Sequence, residues 1–210
     1  MIKGAIFDLD GTLLNSMYAW FDAGKEYLKN LDIHARDDLT ESIKSMSLAQ
    51  ASCYIKEQYG LIQTIEEIMA GITKTVENSY KYDIQLKGGA KEFLQKLNKK
   101  GVKMCVATAS DRTLVEAAFD RLEISKYFVA ILTCNEVGHG KNEPIIYREA
   151  LKLVGTEKSE TYVFEDAYHA IKTAVADGFK VVGVYDDFEP NQEQIKSLCD
   201  FYTTDYSNLF

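Results

Sequence analysis

Asp8 and Asp10 stand two residues apart at the end of an apolar run, in Ile6-Phe7-Asp8-Leu9-Asp10-Gly11-Thr12. Residues 2–7 read as a short buried strand, apolar apart from Lys3 and Gly4. Gly11 supplies the turn that stops it. Side chains alternate along a strand, so residues two apart point the same way. While the extended geometry lasts, both carboxylates enter one small space. Two close negative charges repel, and burying them unpaired is costly. A bound cation, or a proton shared with a substrate, removes that cost. The pair therefore suits a metal-assisted site with one carboxylate as nucleophile and the other as acid/base. The competing reading is a strand-end turn built from aspartates, since Asp is a common turn residue.

The elements that must position such a pair follow from the pattern of the chain. After about residue 100, strands and helices alternate: a strand over 102–107, a helix over 111–122, a strand over 127–133, a helix over 144–154, a strand over 161–164, a helix over 167–177 and a strand over 180–185. Alternation of this kind predicts a parallel sheet with helices on both faces. Residues 15–83 differ, with no convincing strand. Phe21, Lys25, Leu28 and Leu31 mark one helix, Ile43, Met46 and Leu48 begin another, and Ile65, Ile68, Met69 and Ile72 mark a third. Ala90, Phe93, Leu94 and Leu97 then form an amphipathic helix closed by Gly101. The expected architecture is an α/β fold with a Rossmann-like parallel sheet core, discontinuous over residues 1–14 and 85–210. A small all-α cap domain over residues 15–84 interrupts it after the first strand. Linkers are expected at 14–16 and 83–88, with Gly88-Gly89 giving the second one freedom.

Composition narrows the class. A chain of 210 residues with 46% hydrophobic content can bury one core and carry an insert. Its formal net charge of −8 argues against nucleic acid as a partner, which needs a basic face. Met1-Ile2-Lys3 leads straight into the first strand, so no signal peptide is expected, and no apolar run reaches a membrane span. Cys53, Cys105, Cys134 and Cys199 are widely spread, without a C-x-x-C pair, which fits a reducing cytoplasmic setting. Cys105 reads as a small buried hydrophobe. His34, His139 and His169 have no metal-ligand spacing.

Ligands of open parallel sheets bind beyond the carboxyl ends of the strands. Four features fall there: Asp8 with Asp10; Thr108 with Ala109 and Ser110; Lys141 before the helix at Pro144; and Glu165 with Asp166. Together they offer carboxylates for a divalent cation, a hydroxyl and N–H groups at a helix start, and a lysine suited to phosphate. Acidic oxygen ligands select a hard cation such as Mg²⁺ over zinc. Taken singly, Thr108 is a helix cap, Lys141 a solvated loop residue, and Glu165-Asp166 helix-start charges. Their joint order at strand ends is what points to a site.

On these residues the chain resembles the haloacid dehalogenase-like hydrolase superfamily, and within it the β-phosphoglucomutase-like phosphatases with a helical cap after the first strand. Asp8-Leu9-Asp10-Gly11-Thr12 is similar to the first family motif, Thr108 to the second, Lys141 with Pro144 and Tyr147 to the third, and Glu165-Asp166 to the fourth. The resemblance implies a Mg²⁺-dependent phosphatase of a small phosphorylated metabolite; with the charge and the lack of an apolar span, a monomer without a nucleic-acid or membrane partner is expected. It implies that Asp8 attacks phosphorus, that Asp10 is acid and then base, and that Thr108, the Ala109 N–H and Lys141 hold the phosphoryl group. Mg²⁺ would be held by Asp8, the Asp10 carbonyl, Asp166 and Glu165.

The chain departs from the family pattern at Asn142 and Ile145, where Pro and Asp are usual, and after Asp166, where Ala167 to Ala170 replace a hydroxyl residue and a glycine. A β-phosphoglucomutase-type mutase is one alternative. By ungapped count, Trp20 and Leu48 stand where mutases carry His and Arg, which disfavours it. Asp10 disfavours a dehalogenase. A phosphate-sensing or partner-binding module without turnover is the alternative from another class.

Overall fold

The computed structural model describes residues 2–43, 46–207 and 209. Met1, Lys44, Ser45, Asn208 and Phe210 fall within the expected domain spans but lie outside the described residues. The chain divides into two compact units, Met1–Ser16 with Ile84–Phe210, and Met17–Asp83.

The first unit is built on strands β1 (Gly4–Phe7), β2 (Lys103–Thr108), β3 (Ala130–Thr133), β4 (Thr161–Glu165), β5 (Lys180–Val184) and β6 (Phe201–Thr203). They form one sheet in the order β3-β2-β1-β4-β5-β6, and each pairing is parallel. Phe7 is level with Val106 on one side and Phe164 on the other. That register brings Asp8, Thr108 and Glu165 to neighbouring strand ends. The chain runs outward from β1 in both directions, which is the switch point where such sheets open a crevice.

Both faces of the sheet are covered, so its central strands are apolar throughout rather than alternating. Ile6, Cys105, Ala107, Val163 and Val181 share one face with Ile146, Tyr147 and Ala150, Ile171 and Ala174, and Ile195. These come from helices over Ile145–Val154, Tyr168–Ala176 and Gln192–Leu198. On the opposite face Phe7 and Phe164 stack with ring centroids 4.3 Å apart. Phe93, from the helix Ala90–Lys99, meets both edge-on.

Some boundaries differ from the sequence reading. The first strand begins at Gly4, where a side chain would overlap the Thr161 hydroxyl. The segment expected as a strand over 127–133 starts as a 3-10 turn, Ser125–Tyr127, before β3. β6 and the helix before it are additions to the expected elements, because a three-residue edge strand carries no apolar run.

The second unit is helical: α1 (Met17–Phe21), α2 (Ala23–Asn30), α3 (Leu39–Ile43), α4 (Leu48–Tyr59) and α5 (Ile65–Tyr82). The helix expected through Phe21 to Leu31 is two, divided at Asp22. Of the helix expected to begin at Ile43, that residue ends α3, Met46 and Ser47 are not helical, and α4 starts at Leu48. Ser47 sets that start. Its hydroxyl accepts from the Gln50 N–H at 3.2 Å, and the Gln50 side chain accepts from the Ser47 N–H at 2.9 Å. Thr64 and Glu67 begin α5 in the same way, and Ile68, Ile72, Val76 and Tyr80 form its buried stripe. Trp20 donates its indole N–H to the Tyr80 hydroxyl at 2.8 Å, so it is tied into the packing of this unit. No described helix is long and apolar enough to cross a membrane.

Candidate functional site

Asp8 follows the last residue of β1, where its N–H donates to the Phe164 carbonyl at 2.9 Å. This backbone bond extends the β1–β4 pairing by one residue and fixes where the buried carboxylate emerges. Glu165 ends β4 and Asp166 follows it, both buried. Ligand oxygens of Asp8, Glu165 and Asp166 lie within 4.8 Å of one another.

Among the described residues, one ammonium group pairs with carboxylates of this cluster. Lys141, itself buried, pairs with Asp8 and donates to Glu165 Oε2 at 2.8 Å. The Tyr147 phenol donates to the same Glu165 oxygen at 3.0 Å. Three carboxylates therefore face one lysine, and the titration of the groups reflects the surplus. Burial first, then Asp8, pushes Glu165 up to about 7, with Lys141 and Tyr147 pulling the other way. Burial and the charges of Asp8 and Glu165 hold Asp166 well above the usual carboxylate range. For Lys141, burial alone would lower its pKa, but the two carboxylates outweigh it and raise it. A surplus of buried negative charge offered entirely by oxygen atoms fits a hard divalent cation. Asp8, Glu165 and Asp166 are the side chains that would hold it.

The loop after Asp8 is pressed onto this cluster. Gly11 has a φ of +84°, and a Cβ there would overlap the Asp166 carboxylate. Both facts require glycine. Thr12 then donates its hydroxyl to Asp166 Oδ1 at 2.7 Å. This bond supplies a hydroxyl to the acidic pair from an unexpected direction, since Ala167 offers Glu165 only a backbone N–H, at 3.3 Å.

Asp10 engages different partners. The Ser16 hydroxyl donates to its Oδ1 at 2.6 Å and the Ser110 hydroxyl to its Oδ2 at 2.5 Å. Its carboxylate is not part of the three-residue cluster. Thr108 is buried at the end of β2, and its Oγ1 accepts from the Ser110 N–H at 3.0 Å. Ala109 lies between them and is exposed. The fold thus brings Asp8, Lys141 and Glu165 into direct contact, with an Asp166 carboxylate oxygen within 4.8 Å of those of Asp8 and Glu165. Asp10 and Thr108 are linked through Ser110. His169 titrates below the usual histidine range, mainly through burial and then Lys141.

Sequence reasoning missed Thr12 and Ser16 as hydroxyl donors, and it did not assign Tyr147 to Glu165. Thr12 and Tyr147 lie inside the quoted motifs, whereas Ser16 carries no signal of its own.

The profile of the family described as haloacid dehalogenase-like hydrolase matches residues 5–184. A phosphorylated carbohydrates phosphatase of Thermotoga maritima is 22% identical over 184 residues, covering 87% of this chain and 85% of the relative. A validoxylamine A 7'-phosphate phosphatase of Streptomyces hygroscopicus subsp. limoneus is 27% identical over 185 residues, covering 88% and 86%. The crystal structure of CbbY from Rhodobacter sphaeroides in complex with phosphate superposes with a TM-score of 0.86 at 20% identity, covering all of this chain and 96% of that one.

Proposed function

Because the chain belongs to the haloacid dehalogenase-like hydrolase family, we propose that it is a Mg²⁺-dependent phosphatase. Its substrate would be a small phosphorylated metabolite and its intermediate an aspartyl-phosphate on Asp8. The observation that carries this reading is the cluster of three buried carboxylates, Asp8, Glu165 and Asp166, two of them paired with Lys141. The phosphatase names of the two curated relatives support it.

The chemistry divides among the residues as follows. A carboxylate oxygen of Asp8 forms a bond to phosphorus as the bond to the leaving oxygen breaks, and Asp10 gives its proton to that oxygen. Asp10 then takes a proton from a water molecule. The water oxygen bonds to phosphorus, the Asp8–phosphorus bond breaks, and inorganic phosphate is released. The bound cation supplies neutralisation of the phosphoryl charge, the main requirement of this transfer. Thr108, the Ala109 N–H and Lys141 are assigned to the phosphoryl oxygens. Lys141 is well suited, since a cation already shared by two carboxylates stays charged.

The test is a screen of phosphorylated metabolites with Mg²⁺, with a chelator, and with Asp8→Asn. Turnover is expected with Mg²⁺, to vanish in chelator and to return on adding the metal back. Ca²⁺ should not replace Mg²⁺, because its larger and looser shell misplaces the nucleophile. Asp8→Asn should leave only a trace. Undiminished turnover by that variant would rule out the covalent route, and full activity in chelator would rule out the metal.

A further inference from the structure

Tyr206 lies outside every motif singled out in the sequence, yet it reaches the loop that carries the first of them. Its ring is buried against Phe93 and Phe164, with centroids 5.2 Å and 6.3 Å away. Its hydroxyl donates to the Thr12 carbonyl at 3.2 Å. Thr12 in turn donates its own hydroxyl to Asp166 Oδ1 at 2.7 Å. The Tyr206 N–H donates to the Gly88 carbonyl at 2.9 Å, which anchors the tyrosine to the segment before the helix Ala90–Lys99.

We propose that Tyr206 is a positioning residue for the metal-binding carboxylate Asp166, acting through Thr12. The inference rests on the reading of Asp166 as a metal ligand. Phenylalanine would fill the same aromatic space without a buried polar atom, which is costly to bury unless bonded. What the hydroxyl adds is a fixed orientation for the Thr12 peptide. Thr12 must hold that orientation for its side chain to meet Asp166, because Gly11 beside it is held at φ +84° with no room for a Cβ. The phenol, the peptide and the threonine hydroxyl form one rigid path from the segment after β6 to the acidic cluster. Hydrogen bonds that orient metal ligands change metal affinity by about 10–100-fold. Tyr206 acts one bond further out, so a smaller change is expected.

The experiment is Mn²⁺ binding to the full chain without substrate, followed by electron paramagnetic resonance, with Mg²⁺ competition by calorimetry. The parent is compared with Asp166→Asn, Tyr206→Phe, Thr12→Val and the double variant Thr12→Val/Tyr206→Phe. Asp166→Asn should lose binding. Tyr206→Phe should weaken it by about three- to tenfold, less than a group bonded directly to a ligand, while its melting temperature shifts little. Adding Tyr206→Phe to Thr12→Val should weaken binding no further, since the tyrosine acts through the threonine. If Tyr206→Phe binds Mn²⁺ as the parent does while Asp166→Asn does not, the inference is wrong and the metal reading stands. A lower melting temperature with unchanged affinity also overturns it, leaving Tyr206 a packing residue. If the parent itself binds no Mn²⁺, both the inference and the metal reading fail.

Discussion

Ser110 donates its hydroxyl to Asp10 at 2.5 Å across 100 positions of sequence. With Ser16 on the other oxygen at 2.6 Å, both oxygens of that carboxylate are held by hydroxyl groups. A hydroxyl can donate or accept. These two can therefore follow Asp10 between its ionised and protonated forms without breaking contact, which an acid/base group needs and a lysine partner would not allow. Asp8, by contrast, is paired with Lys141, as suits the nucleophile proposed for it.

This contrast sets the first expectation. Asp10→Asn should lower turnover by roughly 10²–10⁴, the usual share of general acid–base catalysis. Ser110→Ala should lower kcat by less and leave the formation of a phosphoenzyme detectable in rapid-quench experiments. Unchanged kcat in Ser110→Ala would show that the hydroxyl does not aim Asp10.

A second expectation concerns acid stability. Arg112 bonds the Glu136 carboxylate and, together with the Thr133 N–H, lowers its pKa from 4.5 to about 2. A depressed carboxyl stabilises the fold above its unfolded pKa and loses that contribution as pH falls through the folded value. Glu136 is partly exposed, so the pair is worth only about 0.2–1 kcal/mol. Glu136→Gln should therefore melt slightly lower than the parent at about pH 7, well above both values. The gap should close as pH falls from about 4.5 towards 2. A gap that is constant over this range would assign the effect to the helix cap at Thr133.

Ser52 gives a third. Its hydroxyl is fully buried in α4 and has no hydrogen-bond partner among the described residues. A buried, unsatisfied hydroxyl costs about 1–3 kcal/mol. Ser52→Ala should raise stability by roughly 1 kcal/mol in urea unfolding, given partial relaxation. A loss of stability would mean that the hydroxyl is satisfied in solution.

How much of this is legible in the chain depends on the range of the interactions. Asp8, Asp10, Glu165 and Asp166 can be read because they stand at or just beyond strand ends, and strand ends follow from short apolar runs such as β1, β2 and β4; Lys141 lies further on, in the loop before the helix Ile145–Val154. The parallel sheet follows from the same runs alternating with helical periodicity. The partners of these residues cannot be read in this way. Ser16 and Tyr206 meet the site only through tertiary packing, and nothing in their local sequence separates them from other polar residues; Tyr147 lies in a motif, but its bond to Glu165 does not follow from that motif. In the insert, a helical period is visible, but it hides the start of α4 at Leu48, although Ser47 and Gln50 spell a capping box. Gly88-Gly89 reads as a flexible linker, and the structure gives it another role. Gly89 is glycine because its φ is +72° and the Ser207 backbone lies where its Cβ would be, so the pair is pinned.

If the insert moves as a cap, that pinning would place its second hinge before Gly88. The two crossings between the units run side by side within the first one: Leu14 pairs with Leu86, the Asn15 N–H donates to the Gln85 carbonyl at 2.9 Å, and the Lys87 N–H donates to the Leu13 carbonyl at 2.9 Å. Lys87 is held further by its ion pair with Asp186 at 2.8 Å. Beyond this paired stretch the two units divide at Ser16–Met17 and Asp83–Ile84, and Ser16 is the residue whose hydroxyl holds Asp10. If the insert is a cap, its rotation would begin next to the acid/base group. Structures with and without a phosphate analogue such as beryllofluoride should then differ by a rigid-body rotation about Ser16 and Asp83, with residues 84–89 unmoved. Amide hydrogen exchange should slow at 15–17 and 82–84 on binding the analogue, as a closed state protects the hinge. If the insert holds one orientation in both structures and exchange at these residues does not change, closure is not part of the cycle, and substrate choice lies in the loops of the sheet-bearing unit.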